Sequence, residues 1–154
     1  MLVLAALAAL AGCGGDGSGP GVQTISGAGY SFQAPGDWEV LRSGRTVAAR
    51  DGGEVISVTL FPLDRPYRPS LWPQVRRELD RVTGRLARKL SASVDERRDG
   101  SVGGRTARLY RLSHARDRTH RIAFVLVGKR EYQLLCRCGD GGACDGLLAS
   151  FRLT

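Results

Sequence analysis

The chain of 154 residues contains no asparagine, one methionine, two histidines and three isoleucines. Lysine is also scarce, because Lys89 and Lys129 are the only lysines among 23 basic residues and arginine supplies the rest. The codons for lysine, asparagine and isoleucine are rich in A and T, so a GC-rich genome accounts for all three scarcities. The formal net charge of +8 therefore says less about the partners of this protein than its size suggests.

Long hydrophobic runs are lacking too. The longest run covers residues 2–11, about half of the roughly 20 residues that a membrane-spanning helix needs. Hydrophobic residues make up 42% of the chain and charged residues 25%, a balance that excludes a disordered tail, a collagen-like repeat and a polytopic membrane protein. A chain of this length forms one compact domain rather than two.

Recognisable catalytic motifs are also absent. The carboxylates do not show the spacing of a paired acid and base, and the glycines within 14–21 precede neither a helix nor a lysine, as a phosphate-binding loop requires. Asp95, Glu96 and Asp99 stand beside two arginines, which predicts a solvated cluster of ion pairs. We therefore expect a non-enzymatic protein with no catalytic residues and no cofactor.

The short apolar run leads directly into Leu10-Ala11-Gly12-Cys13. This segment resembles the lipobox of bacterial lipoproteins, in which a peptidase cuts before the cysteine and the cysteine sulfur carries a diacylglycerol. The resemblance implies a signal peptide over 1–12, then lipidated Cys13 with a glycine-rich tether over 13–22. It also implies an extracytoplasmic protein that the lipid anchors to the outer face of the cell membrane.

One feature departs from the lipoprotein pattern, and one alternative to lipidation stays open. The basic residue expected before the apolar run is missing, which leaves open a start codon farther upstream and a signal peptide truncated at its start. An ordinary secretory signal, with no lipid on Cys13, is the alternative. In either case the domain is exported, so we expect no nucleic-acid partner.

Hydrophobic periodicity divides the rest of the chain into strands and helices. Apolar alternation predicts an N-terminal hairpin from about residue 23, then strands at 46–50 and 55–60. A helix is predicted over 71–90, capped by Ser70. Its apolar stripe consists of Leu71, Val75, Leu79, Val82, Leu86 and Leu90. We expect this stripe, with Leu79, Val82 and Leu86 at its centre, to pack against a sheet.

Strand-like segments follow this helix. A weak strand is predicted at 93–98 and a better one at 105–114, and residues 131–138 form a hairpin with the strand before them. That preceding segment, 122–127, is apolar on both faces, which predicts a central strand covered on both sides. Residues 143–150 are expected to form a final helix and 151–154 an ending strand.

Three short segments carry a family resemblance. They are Tyr30-Ser31-Phe32 with Pro35 and Trp38, then Val102-Gly103-Gly104-Arg105-Thr106-Ala107, and last Leu147-Leu148-Ala149-Ser150-Phe151. Together with the order of elements they resemble PsbP-like domains, named after an extrinsic protein of the photosynthetic oxygen-evolving complex. The resemblance implies an α+β fold over 23–154, an antiparallel β-sheet with helices packed on both faces. It implies a binding or accessory module of unknown ligand, and it carries over no metal or partner motif.

Cys136, Cys138 and Cys144 lie within nine consecutive residues. Outside the cytoplasm such a set favours one disulfide with one cysteine left over. Cys136 and Cys138 project from the same face of their strand, and Cys144 follows a glycine-rich loop. We favour a Cys136–Cys144 bridge because Cys136 lies deeper in the strand, and Cys138–Cys144 stays open. Cys138, next to the loop, is then the more accessible thiol.

The two histidines offer a metal-binding or enzymatic alternative. His114 and His120 lie at the two ends of the loop 115–119, and a tight turn at 128–131 places Cys138 opposite Arg121, beside His120. These three side chains then meet at one end of the sheet, as a mixed nitrogen and sulfur set that zinc or copper accepts. The same trio is the only candidate for a cysteine–histidine nucleophile pair.

A final candidate is a basic stretch, the arginines at 105, 108, 111, 116, 118 and 121. Codon bias and a solvated face explain it most simply. The alternative is a surface that faces anionic lipid, a cell-wall polymer or an envelope protein partner.

Overall fold

A computed structural model describes residues 21–115, 118–139 and 142–154. The predicted signal peptide, Cys13 and nearly all of the tether lie outside the described residues. None of the helices in the described ranges has the length and apolarity that crossing a membrane requires.

Most predicted elements are present, with bounds within a few residues of those expected. The strands of the described residues are β1 (Val22–Gly27), β2 (Tyr30–Pro35), β3 (Glu39–Ser43), β4 (Thr46–Asp51), β5 (Glu54–Pro62), β6 (Ala92–Val102), β7 (Arg105–His114), β8 (Thr119–Val127), β9 (Arg130–Arg137) and β10 (Arg152–Leu153). The helices are α1 (Trp72–Lys89), preceded by a short 3-10 turn (Pro69–Leu71), and α2 (Gly142–Ser150).

The strands form two antiparallel sheets. Seven strands form the larger sheet in the order β3-β4-β5-β9-β8-β7-β6, and the smaller sheet has the order β1-β2-β10. The large sheet carries α1 on one face, and on the other it carries α2 together with the small sheet. The predicted α+β fold with helices on both faces is therefore confirmed. The separate small sheet, closed by β10, is an addition to that prediction.

Strand β8 shows how both faces of the large sheet become buried. Successive side chains of a strand point to opposite faces. Ala123 and Val125 belong to the core beneath α2, whereas Ile122 and Phe124 belong to the core beneath α1. The residue range from Ile122 to Leu126 is buried throughout. The prediction of a central strand covered on both sides is confirmed.

Helix α1 begins and packs differently from the prediction. Its N-cap residue is Leu71 and no side chain caps the helix, so the expected Ser70 cap is wrong. Leu79, Thr83 and Ala87 are the buried residues of the helix, while Val82 is 37% exposed. The buried stripe is rotated by about one residue because Thr83, a polar residue that hydrophobic periodicity passes over, faces the sheet.

Strand β6 is longer than expected. It extends over eleven residues at the edge of the large sheet, with a register shift between Val94 and Glu96. The extra residue of such a bulge breaks the alternation of polar and apolar side chains, which explains the weak strand signal. Its charged side chains also discourage pairing of this edge with other chains.

Candidate functional site

Two of the three clustered cysteines lie at disulfide distance in the structure. The Cα atoms of Cys136 on β9 and Cys144 on α2 are 5.5 Å apart, and the two sulfur atoms face each other. Both side chains are 1% exposed, within the core between α2 and the large sheet. Cys138 shares this core at 7% exposure. It is therefore buried as well, although less completely than Cys136 and Cys144, so it is the more accessible of the three thiols only in a relative sense.

The register of the β8–β9 hairpin separates Cys138 from the histidines. The turn consists of two residues, with Gly128 at a φ of 57°, so Val127 pairs with Arg130. Arg121 consequently faces Cys136, not Cys138, and His120 faces Arg137. The expected position of Cys138 opposite Arg121 is wrong by two residues.

The histidines lie on the face opposite to Cys138. His120 and Ile122 are two residues apart in β8, so they share the face of the α1-side core, whereas Cys138 belongs to the α2-side core. The structure therefore does not bring together His114, His120 and Cys138. Within the described ranges, no cluster of three or more His, Cys, Asp or Glu residues is placed to hold a metal ion.

His114 and His120 themselves do meet, at the end of the sheet where α1 finishes. Their rings are 4.4 Å apart between centroids, and Nε2 of His114 contacts Nδ1 of His120. Nδ1 of His114 lies 3.2 Å from the carbonyl oxygen of Leu90, which follows the last turn of α1. Ser91 then takes a left-handed conformation, with a φ of 52°, where the helix ends.

An open pocket of about 440 Å³ adjoins this histidine pair, and we call it the end pocket. Its lining includes both imidazoles, Arg118 and Arg137, with Leu90 and Ser91 at the rim. Sequence reasoning identified the two histidines but missed Arg137, which comes from β9. The signal that could have located Arg137 is the hairpin register, since a two-residue turn places it opposite His120.

The environment of His120 disfavours its protonation. Burial has the largest effect, and the positive charges of His114, Arg137 and Arg118 add to it. Together they lower the pKa of His120 to about 4. At neutral pH this imidazole is uncharged. The positive charge of the end pocket comes from the two guanidinium groups, and no carboxylate is among its lining residues in the described part of the chain.

The predicted basic stretch does not form a single surface. Arg111 and Arg121 face each other across β7 and β8 on the α2 side of the large sheet. Arg118 lies at the end pocket, and Arg108 points to the α1 side, where it is 8% exposed. Side-chain alternation along β7 and β8 scatters these residues to different places.

Arg108 is the centre of an ion-pair network beneath α1. It donates to both carboxylate oxygens of Asp80 on the helix, at 3.0 and 3.1 Å, and to Asp99 on β6 at 2.8 Å. Tyr110 donates to Asp80 at 2.7 Å and Trp72 donates to Asp99 at 3.1 Å. Asp99 is thus exposed and ion-paired, as predicted for a solvated cluster, but its partners Arg76 and Arg108 lie on α1 and β7 and not beside it on β6.

This network affects the pKa of Asp99. Burial opposes ionisation of Asp99, but hydrogen bonds from Trp72, Arg108 and Arg76 outweigh that effect and hold its pKa below the usual range. Asp99 therefore remains ionised and paired with Arg108 at neutral pH. The geometry of the network fastens α1 to β6 and β7.

One solved structure has a fold similar to that of this chain. No protein-family model matches the chain, and neither does any curated protein. The solution structure of cyanobacterial PsbP (CyanoP) from Synechocystis sp. PCC 6803 aligns over 94% of this chain and 99% of its own, with 15% identity and a TM-score of 0.63. The chain therefore has a PsbP-like fold.

A second solved structure is more distant. A crystal structure from Bacteroides thetaiotaomicron VPI-5482 aligns over 86% of this chain and 48% of its own. Its identity is 13% and its TM-score is 0.48, so we draw nothing from it.

Proposed function

We propose that this protein is a non-catalytic binding or accessory module, held at the outer face of the cell membrane by a lipid on Cys13. Its partner is an envelope protein or an anionic surface. The proposal combines the lipobox resemblance of Leu10-Ala11-Gly12-Cys13 with the PsbP-like fold of the described domain.

The position of the folded domain is the observation that carries this proposal. Strand β1 begins at Val22, nine residues after Cys13, and residues 14–21 between them are rich in glycine. A glycine-rich composition of this kind is typical of a tether between an anchor and a domain. Such a tether gives an acylated cysteine enough chain to hold the domain clear of the lipid headgroups.

The use of the polar side chains favours binding over catalysis. The most buried ion pairs join Arg108 to Asp80 and Asp99, and they connect α1 to the sheet. The metal-binding or enzymatic alternative needed His114, His120 and Cys138 at one place, and Cys138 lies on the other face. That alternative is therefore not favoured.

Replacement of the cysteine tests the anchor. Cys13→Ala is expected to block processing, so that an uncleaved precursor accumulates, while Ser18→Ala in the tether is expected to mature normally. Membrane fractionation and mass spectrometry of the mature N-terminus check this result. Normal maturation of Cys13→Ala, with cleavage at another position, would contradict lipidation and leave a secreted protein.

A further inference from the structure

The end pocket brings together four nitrogen-rich side chains from three strands. His114 ends β7, Arg118 and His120 flank the start of β8, and Arg137 ends β9. These strands are neighbours in the large sheet, so their ends form one rim. The open volume of about 440 Å³ is large enough for a small ligand with its hydration shell.

The two arginines of this pocket differ from Arg108 in their pairing. Neither Arg118 nor Arg137 makes an ion pair with any carboxylate of the described residues, whereas Arg108 has two such partners. Nε of Arg137 donates to the carbonyl oxygen of Gly53 at 2.9 Å, which orients the guanidinium and leaves its terminal nitrogens for other acceptors. Such guanidinium groups match the oxygens of phosphate and carboxylate.

Hydrogen-bond accounting assigns a role to the histidine pair. Nδ1–H of His114 donates to the carbonyl of Leu90, which leaves Nε2 as an acceptor in the neutral ring. Nδ1–H of His120 then donates to that nitrogen, so Nε2 of His120 carries a lone pair. One added proton changes Nε2 of His120 from an acceptor into a donor. Whichever ring takes the charge, Nε2 of His120 then carries a hydrogen and becomes a donor.

From this geometry we propose that the end pocket binds an oxyanion of the phosphate class, held by Arg118, Arg137 and the histidine pair, with uptake of one proton. Without an anion, the guanidinium groups disfavour a charge on His120. A bound dianion offsets their repulsion and accepts a hydrogen bond from Nε2 of His120. The proton moves from solvent to the imidazole pair, and no covalent bond to the ligand forms or breaks.

A cation fits the same place poorly. Of the four ring nitrogens, Nδ1 of His114 lies at the Leu90 carbonyl and two others contact each other, so only Nε2 of His120 remains as a nitrogen ligand. Two neighbouring guanidinium groups repel a metal ion. Phosphate chemistry can come from a soluble oxyanion or from a phospholipid headgroup, and both sources present the same oxygens.

This site is independent of lipidation at Cys13 and is tested separately from the anchor. The chain contains only two histidines, so imidazole NMR signals of the full-length protein report on this site alone. Sulfate is the first probe because its charge stays constant between about pH 4 and pH 8. We expect sulfate to shift both signals saturably and to raise the pKa of His120 from about 4. Linkage then makes sulfate affinity about tenfold higher near pH 5 than near pH 8.

Matched variants distinguish the site from general charge attraction. Arg137→Gln and Arg118→Gln are each expected to weaken sulfate affinity by about tenfold. Arg137→Lys is expected to restore part of the loss, because the charge returns without the planar fork. Arg77→Gln is the control, because Arg77 is exposed on α1 and its replacement removes the same charge at a place away from the pocket. Thermal unfolding confirms that each variant is folded.

The second arm of the experiment identifies the source of the oxyanion. The same histidine signals are followed with inorganic phosphate, then in nanodiscs of phosphatidylglycerol or phosphatidylcholine. Shifts in phosphatidylglycerol alone assign the site to a lipid headgroup, and shifts with soluble phosphate assign it to a free oxyanion. Histidine signals unmoved by every probe, equal losses in Arg137→Gln and Arg77→Gln, or stoichiometric zinc or copper bound at the pair would each overturn the proposal.

Discussion

The two faces of the large sheet hold their helices by different means. Beneath α2 and the small sheet, Tyr30, Tyr132 and Phe151 form an aromatic cluster with ring centroids 5.7 to 5.9 Å apart. Leu147 and Cys144 add buried contacts from α2 itself. Beneath α1, by contrast, an ion-pair network centred on Arg108 lies beside a smaller apolar core.

The face beneath α2 is held by non-directional apolar packing, whereas the face beneath α1 adds directional polar contacts. Apolar burial stabilises in proportion to the area removed from water and tolerates small shifts of the helix. Ion pairs and hydrogen bonds depend on position, because a charge that loses its partner in a buried place is costly. We infer that α2 is held mainly by burial, whereas the position of α1 over β6 and β7 is specified by Asp80.

The largest expected loss of stability follows replacement of one buried leucine in each helix. Leu147→Ala is expected to lower the free energy of unfolding by about 3–5 kcal/mol and Leu79→Ala by about 2–4 kcal/mol, because both leave cavities and Leu147 is the more completely buried. Urea denaturation measures both values. Val82→Ala is the control on α1, with an expected change below about 0.5 kcal/mol, since Val82 is 37% exposed. A Leu79→Ala value as small as that of Val82→Ala would show that α1 is not packed on the sheet.

The polar side of the comparison is tested at Asp80. Asp80→Asn is expected to cost about 2–3 kcal/mol, because it removes a bidentate partner from the buried guanidinium of Arg108. Glu78→Gln, which alters an exposed pair two residues before Asp80 on α1, is expected to cost at most about 0.5 kcal/mol. If urea denaturation gave the same loss of stability for Asp80→Asn and Glu78→Gln, the proposed role of the polar network beneath α1 would be wrong.

The pKa of Asp99 adds a pH dependence to the same test. Because its folded-state pKa is lowered, Asp99 contributes stability that is present above its unfolded pKa of about 4 and is lost as pH falls through the folded value. Asp99→Asn is therefore expected to flatten the acid end of the stability profile. An unchanged acid slope in that variant would exclude this contribution.

The smallest expected effect concerns the covalent connection on the α2 face. Cys144→Ser is expected to cost about 2 kcal/mol in oxidised protein, because a bridge over so short a loop removes little chain entropy. Peptide mapping of non-reduced protein is expected to give a linked Cys136–Cys144 peptide, with Cys138 alkylated only after denaturation. A Cys138–Cys144 peptide would revise the pairing. Alkylation of all three with bound zinc or copper would favour the metal interpretation.

Local patterns in the sequence predicted most elements of the fold. Strand β7 has the expected bounds, because alternating side chains and a flanking Gly-Gly turn are encoded within the segment itself. The central position of β8 followed from its burial on both faces. The small sheet was missed, since pairing of Arg152 and Leu153 with β2 joins segments that are far apart in the sequence.

The candidate site was less predictable than the fold. The sequence identified His114 and His120, but it assigned Cys138 to them in a register that was wrong by two residues. Even in that register, alternation points Cys138 to the face opposite His120. A shift of two residues in a hairpin preserves the face of every side chain and changes every neighbour. Arg137 and Asp80 were missed for a related reason, since their partners come from other strands.

The pairing of β10 with β2 has a consequence for the order in which this domain assembles. Ser31 pairs with Arg152, and the backbone N–H of Gln33 donates to the side chain of Ser150. During synthesis from the N-terminus, the β1–β2 hairpin emerges more than a hundred residues before the strand that completes its sheet. Loop closure over such a distance is slow compared with hairpin formation. Until then β2 presents an unpaired edge, which exposes the nascent domain to association with other chains.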